Sequence, residues 1–494
     1  MYLLVLDQGT TSSRAIIFSP SGDIVSTGQI PIAPRYPEPG WVEQDPEQIW
    51  HTAWEAMTFA LKSSGLDFKD IAAIGITNQR ETTLVWDRKT GVSVAPAIVW
   101  QCRRTAPRCQ KLVDEGWEPL IRERTGLVLD AYFSATKLEW LLNLPGIRDR
   151  AQRGELCFGT VDAWLAYNLT GGRRHVTDVT NASRTLLYNI HRHMWDPDLL
   201  KLFNIPPEIL PEVVPSSGII AMTDSRLTET EIPIAAMVGD QTAALFGQGC
   251  VYPGMAKNTY GTGAFLLMHT GKTPTPTLPG LLTTVAAEVG QGSSYALEGS
   301  IFMAGAAIDW LKEPMGFISR AQDSENVALS LKDSEDVYVV PAFTGLGSPY
   351  WDGFARGTVV GLSRSTGPLH IVRATLESIA YQTRDVLELM AVSSGYPFTE
   401  LRVDGGVTRN RFLMQFQSDI LGVPVLRSQM TETTALGAAY LAGLGIGIWK
   451  SVDQLPDTRY AVDVFEPHMT RTVADQKYQR WQDAVSRSRH WAQP

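Results

Sequence analysis

Short apolar runs interrupted by polar, glycine-containing loops open the chain. Tyr2–Leu6 and Ala15–Phe18 are strand-like and flank the polar segment Asp7-Gln8-Gly9-Thr10-Thr11-Ser12-Ser13-Arg14. Ser19-Pro20-Ser21-Gly22-Asp23 then turns the chain into a third strand, Ile24–Gln29, so a three-strand meander is predicted. Asp45-Pro46-Glu47-Gln48 supplies an N-cap, a first-turn proline and a capping-box glutamine. Ile49, Ala53, Met57 and Ala60 recur at helical spacing until Gly65, and a buried strand, Ile71–Thr77, follows. This order is that of a mixed-sheet α/β half.

The same order returns after residue 235. Ala235–Val238 is a short strand ending in Gly239-Asp240, and Ala256–Tyr260 leads through Gly261-Thr262-Gly263 into Ala264–Met268. Val372, Leu376, Ile379, Val386, Leu387 and Met390 mark a long helix ending at Gly395. Leu401–Val403 then runs into Asp404-Gly405-Gly406 and a helix expected to start near Thr408. The repeated order predicts an internal duplication with a boundary near residue 250, giving domains 1–250 and 251–494 with Asp240 close to their junction. Ligands favour such junctions. After Lys450, charged residues with Trp481 and Trp491 predict a helix packed back on the body.

Composition narrows the classes of function. The 494 residues include 43 basic and 52 acidic side chains, a net charge of −9, and no basic tail, which excludes nucleic acid as the main partner. Four cysteines, Cys102, Cys109, Cys157 and Cys250, form no CxxC pair and no disulfide framework, so a reducing compartment is expected. The apolar stretch Ala435–Trp449, interrupted by four glycines, falls short of the roughly 20 residues that span a bilayer and reads as a buried helix and its exit.

Candidate chemistry lies in the loops. In Asp7–Arg14, Gly9 permits a tight turn, the Thr and Ser residues offer hydroxyls and free amides, Arg14 can neutralise charge, and Asp7 can hold a divalent cation through water. A plain polar hairpin turn is the alternative. Gly261-Thr262-Gly263 and Asp404-Gly405-Gly406 are two further glycine turns, and three in a duplicated frame point to a nucleotide between two domains. Gly271-Lys272-Thr273 is no P-loop, because Leu266 stands where that motif needs glycine. Gly345-Leu346-Gly347-Ser348-Pro349-Tyr350 likewise fails as a dinucleotide fingerprint, and His191 and His193 read as surface residues. Arg80 and Glu81 emerge at the end of a buried strand, either to grip hydroxyls or to form a surface ion pair. Trp100 reads as core or ligand wall. Asp240, with Gln241 beside it, is the carboxylate best placed to take a proton from a hydroxyl attacking phosphorus.

On these residues the chain resembles the carbohydrate-kinase family. The resemblance is carried by Asp7–Arg14, GITNQRETT from Gly75, WQCRR from Trp100, VGDQTAALFGQ from Val238, NTYGTG from Asn258 and PAFTGLGSPYWD from Pro341, in order from about residue 2 to about residue 450. It implies two RNase H-like, actin-like ATPase domains of duplicated α/β topology with a deep cleft between them, polyol and phosphate loop on the first and nucleotide on the second. GITNQRET and WQCRR are similar to members acting on glycerol, which implies ATP-dependent formation of sn-glycerol 3-phosphate and ADP in the cytoplasm, by a homo-oligomer, dimer or tetramer. Another polyol or a ketose is the alternative substrate, and a non-catalytic nucleotide-gated binder the alternative class.

Position by position, the resemblance implies that Thr10, Thr11, Ser12, Arg14 and Thr262 face the ATP phosphates and that Gly305, Gly406 and Asn410 line the adenosine side. Asp309 stands where a glutamine is common. Arg80, Glu81, Tyr132, Asp240 and Gln241 would hold glycerol hydroxyls, Trp100 and Phe265 would cover its carbons, Asp240 would be the base, and Asp7 would act through Mg2+. The segment Thr223–Thr230 lacks the glycines of a feedback loop found in some bacterial members. Inhibition by fructose 1,6-bisphosphate is therefore expected to be weak or absent, and clear inhibition at sub-millimolar concentration in a steady-state assay would overturn this.

Overall fold

The computed structural model describes residues 1–276, 278–290, 292–456 and 462–492. Two sheets organise it. In the first, β1 (Tyr2–Gln8), β2 (Ser12–Phe18) and β3 (Ile24–Pro31) form the expected antiparallel meander, and β4 (Ile71–Asn78) lies parallel to β1. β5 (Ser217–Met222) is the antiparallel edge beside β6 (Pro233–Gly239), which runs parallel to β4, so the order is β5-β6-β4-β1-β2-β3.

The second sheet repeats this plan but begins at Ala256: the strand Ala235–Val238, expected to open the repeat, is part of β6 and pairs with β4 in the first sheet. β7 (Ala256–Tyr260), β8 (Ala264–Gly271) and β10 (Tyr295–Ile301) form the meander, with β9 (Leu282–Val285) added outside β10. β11 (Leu401–Asp404) runs parallel to β7 and β12 (Val425–Ser428) parallel to β11, and β13 (Val462–Phe465) closes the far edge antiparallel. The order is β9-β10-β8-β7-β11-β12-β13. The central strands are buried on both faces, which accounts for their continuous apolar runs.

The helices fill in between. α1 (Pro46–Ser64) covers β2 and β3; Asp45 caps it by accepting from the Glu47 amide at 3.0 Å, and Gly65 ends it in the left-handed region. The reciprocal bond expected of Gln48 is not formed. α2 (Asp240–Gly247) continues from β6, and α3 (Gly305–Lys312) follows β10. α4 (Pro368–Ser394), α5 (Arg411–Leu421) and the terminal α7 (Arg471–Ser488) pack with the second sheet in one core.

The helix expected near Thr408 begins at Arg411 instead. Thr408 Oγ1 turns back to the Gly405 carbonyl at 2.7 Å and closes a 3-10 turn, leaving Asn410 to cap α5 through the Leu413 amide at 2.9 Å. Trp481 is buried on α7, stacked on Tyr381 and donating to Asp385 at 2.8 Å, whereas Trp491 lies beyond the helix and is exposed.

α6 (Thr433–Gly445) joins the two halves. It follows β12 of the second sheet yet packs on β1, β4, β5 and β6 of the first, while α2 leaves the first sheet and packs on β7 and β8 of the second. The two helices therefore cross between the sheets. They meet backbone to backbone: a Cβ at Gly247 would run into the Thr433 carbonyl, and one at Gly437 into the Ala243 carbonyl. No helix among the described residues is long and apolar enough to cross a membrane, and all four cysteines are buried free thiols. Gly437→Ala is expected to overpack this contact and cost about 2 kcal/mol or more, measured as a lower chemical-denaturation midpoint; an unchanged midpoint would show that α2 and α6 do not meet this closely.

Candidate active site

Strand register brings the sequence motifs together. Gln8 pairs with Asn78 and Asn78 with Gly239, so β1, β4 and β6 end in one row. The residues that follow, Gly9–Thr11, Gln79–Glu81 and Asp240, are thereby neighbours, at the carboxyl ends of parallel strands where open α/β sheets bind ligands. In the second sheet Thr259 pairs with Asp404, which sets the turns at Gly261–Gly263 and Gly405-Gly406 side by side.

Arg80 and Glu81 are not a surface ion pair; both are buried and lie 3.9 Å apart, each with a stronger partner elsewhere. Arg80 Nη1 and Nη2 donate to Glu298 Oε2 and Oε1 at 2.7 and 2.9 Å, and Arg184 Nη2 reaches Glu298 Oε1 at 3.1 Å. Arg184 Nε donates to Glu81 Oε1 at 2.6 Å. Two guanidiniums and two carboxylates are thus buried as one neutral network. Burial would push the Glu298 carboxyl up, but Arg184 and Arg80 outweigh it and hold it down at about 2. For Glu81, with a single arginine bond, burial prevails and the carboxyl is raised. Glu81 also holds a φ of 60°, costly for a residue with a side chain, and its carbonyl is fixed by Ser134 Oγ and Lys137 Nζ, both at 3.1 Å.

Asp240 begins α2 with its carboxylate about one-third exposed, and Arg80 Nε lies 3.3 Å from Oδ1. Gly239 is required here, because a Cβ would stand 2.7 Å from Arg80 Cδ. Gln241 Oε1 accepts from the buried Lys257 Nζ at 2.6 Å. Trp100 donates from Nε1 to Thr10 Oγ1 at 2.9 Å and meets the Tyr132 ring edge-on, centroids 5.6 Å apart, so it faces the loop as well as the core. Arg184 lies 5.5 Å over the Tyr132 ring. Phe265, half-buried on β8, pairs with Thr259 and Ser300.

The first loop is held from below. Gln44 Nε2 donates to the Thr10 carbonyl at 2.6 Å, the Ile32 amide donates to the Thr11 carbonyl at 2.9 Å, and Ser12 Oγ accepts from Gln29 at 3.0 Å. Arg14 is paired with Glu432 at 2.5 Å. Burial pushes the Asp7 carboxyl up to about 7; Arg14 opposes this, while Asp240 and Glu432 add to it. Across the cleft, Thr262, Gly305, Asp309, Gly406 and Asn410 line a single cavity of about 350 Å3. Asp309 is exposed there, 3.6 Å from Lys312.

Motif reading passed over Arg184, Lys257 and Glu298. The signal available for Glu298 was a charged residue inside the largely apolar strand YALEGSI, every position of which is buried; Lys257, in the polar strand AKNTY, carried no such signal. His191 and His193 are exposed and bond to the Glu123 carbonyl and Tyr295. Among the described residues no three His, Cys, Asp or Glu side chains group as a metal site.

Two sheets of duplicated topology, with glycine-containing turns at the carboxyl ends of their parallel strands, have the architecture of the two-domain α/β kinases. The chain belongs to the FGGY family of carbohydrate kinases: the family's N-terminal domain matches residues 2–247 and its C-terminal domain residues 256–446. Glycerol kinase of Symbiobacterium thermophilum is 57% identical over 99% of both chains, and glycerol kinase 2 of Thermotoga maritima 55% identical over 99% of both. The crystal structure of Plasmodium falciparum glycerol kinase with ADP superposes with a TM-score of 0.94 at 36% identity, covering 99% of this chain and 98% of that one. A xylulose kinase from Rhodospirillum rubrum shares the fold, with a TM-score of 0.87 at 23% identity over 99% of both chains.

The buried network and the loop-edge pair should respond differently to mutation. Arg184→Met strands the buried Glu81 carboxylate and removes the third of three bonds to Glu298, and is expected to cost about 3–5 kcal/mol, whereas Arg14→Met at the part-exposed pair should cost about 1 kcal/mol or less. Equilibrium denaturation of both variants distinguishes them, and equal losses would contradict the burial difference.

Proposed function

We propose that this chain transfers the γ-phosphoryl group of ATP to a terminal hydroxyl of glycerol, giving sn-glycerol 3-phosphate and ADP. The observation that carries the chemistry is Asp240: a part-exposed carboxylate at a strand end, 3.3 Å from a buried arginine and facing the junction of the two halves. Full-length identity of 55–57% to glycerol kinases supports the choice of substrate.

In this reading Arg80, Glu81, Tyr132 and Gln241 hold the glycerol hydroxyls, and Trp100 and Phe265 cover its carbon chain. Asp240 accepts the proton of the attacking hydroxyl as its oxygen bonds to the γ-phosphorus and the bond to the ADP oxygen breaks. Thr10, Thr11, Ser12, Arg14 and Thr262 face the phosphates. The cavity lined by Gly305, Asp309, Gly406 and Asn410 takes the nucleoside, so residues 1–250 carry the polyol and phosphate loop and 251–494 the nucleotide. Excluding water from the closed cleft directs the phosphoryl group to glycerol and away from hydrolysis.

Asp7 fits a divalent cation held through water. It offers one hard carboxylate, subject to the fields of Asp240 and Glu432 as well as Arg14, which suits a cation held through its waters more than one held by a cage of side chains. Asp7 would hold Mg2+ through water, and a cation there neutralises charge on the phosphate oxygens. The free, buried thiols support a reducing compartment, the cytoplasm, and the homo-oligomer is proposed on the family resemblance alone.

A coupled assay with Mg-ATP and a polyol and ketose panel tests the function. ADP release should depend on glycerol, and preference for a ketose or no glycerol-dependent release would overturn the assignment. Asp240→Asn should lower turnover by about 100- to 10,000-fold while ADP affinity by calorimetry stays unchanged; retained turnover would remove Asp240 as the base.

A further inference from the structure

β7, β8 and β10 are hydrogen-bonded neighbours, and their register sets Lys257 opposite Leu267 and Leu267 opposite Glu298. Residues paired directly across strands project from the same face. Lys257 and Glu298 therefore stand in one row, two strand spacings or about 10 Å apart, with an apolar residue between them. Both are fully buried.

Each reaches out of the second sheet to a residue of the first half. Glu298 uses both carboxylate oxygens on Arg80, at 2.7 and 2.9 Å, which leaves Nε as the guanidinium edge beside Asp240. Lys257 Nζ donates to Gln241 Oε1 at 2.6 Å and to Thr259 Oγ1 at 2.9 Å. That bond fixes the orientation of the Gln241 amide, whose Nε2 lies 3.4 Å from Asp240 Oδ2. A lysine buried against neutral acceptors is expensive for stability alone, since an apolar side chain of its length would avoid the desolvation.

We propose that Lys257 and Glu298 are positioning residues for the polyol: one row of the second sheet aligns Gln241 and Arg80, the side chains that flank Asp240. The inference rests on the glycerol reading above. It also makes the polyol site dependent on the placement of the second domain, because both anchors sit on the sheet that carries the nucleotide turns.

Steady-state kinetics of the full chain test it, with glycerol and ATP varied separately for the parent, Glu298→Gln, Lys257→Met and Lys257→Arg. Losing one charged hydrogen bond should raise the glycerol KM about tenfold or more in Glu298→Gln and Lys257→Met, with the ATP KM within about twofold of the parent. Lys257→Arg, which keeps the charge and donors, should recover part of the glycerol KM. Equal rises in both KM values, or an unchanged glycerol KM with only a lower melting temperature, would overturn the proposal. If Glu298→Gln does not fold, the two Lys257 variants decide by the same comparison. A parent enzyme inactive on glycerol but active on another polyol would instead overturn the substrate assignment.

Discussion

Four charges buried together, Arg80, Arg184, Glu81 and Glu298, are the constraint on which the rest of the structure depends. Taking any one of them from water costs several kcal/mol, and the cost is offset only while every partner stays in place. Three of the four belong to the first half and Glu298 to a strand of the second. The network is consequently satisfied in one relative placement of the two sheets, and the loops at their edges inherit that placement. Arg184 Nη1 has no hydrogen-bond partner among the protein atoms, and its guanidinium lies over the Tyr132 and Phe133 rings, which adds the aromatic wall to the same network.

The crossing of α2 and α6 serves the same end from below. Each helix leaves one sheet and packs near the other, and their contact depends on Gly247 and Gly437 leaving room for the opposing backbone. Because α2 begins with Asp240, a shift of this contact moves the proposed base directly. α6 in turn follows Glu432, the partner of Arg14. This helix pair thus links the proposed base, the proposed phosphate loop and the junction of the sheets.

Much of this was legible in the sequence. The strand–turn–strand pattern, the helix capped at Asp45 and stopped at Gly65, and the three glycine turns are local features written in adjacent residues. So was the duplication, which the sheet orders now display. What stayed hidden depends on register and long-range pairing. Glu298 and Lys257 carry no motif, and their meaning comes from which strand lies opposite, a fact no local window contains. Arg80 and Glu81 were found but left open between hydroxyl grips and a surface pair, because their burial depends on Arg184, about a hundred residues away. Local competition misplaced the start of α5: Thr408 and Asn410 are both capping types, and the turn at Gly405 claims the first.

The net charge of −9 gains a different meaning from the site. Both buried guanidiniums are neutralised by Glu81 and Glu298, and Arg14 by Glu432, so the arginines around the cleft add little net positive field. A bare polyphosphate approaching Asp240 would meet a carboxylate and no unpaired arginine among those of the site. In the proposed function, attraction comes from backbone amides at the glycine turns and from a cation carried with the phosphates. On that proposal a metal-complexed nucleotide brings its own neutralisation to a site whose arginines Arg14, Arg80 and Arg184 are already paired, and a free anion lacks that advantage.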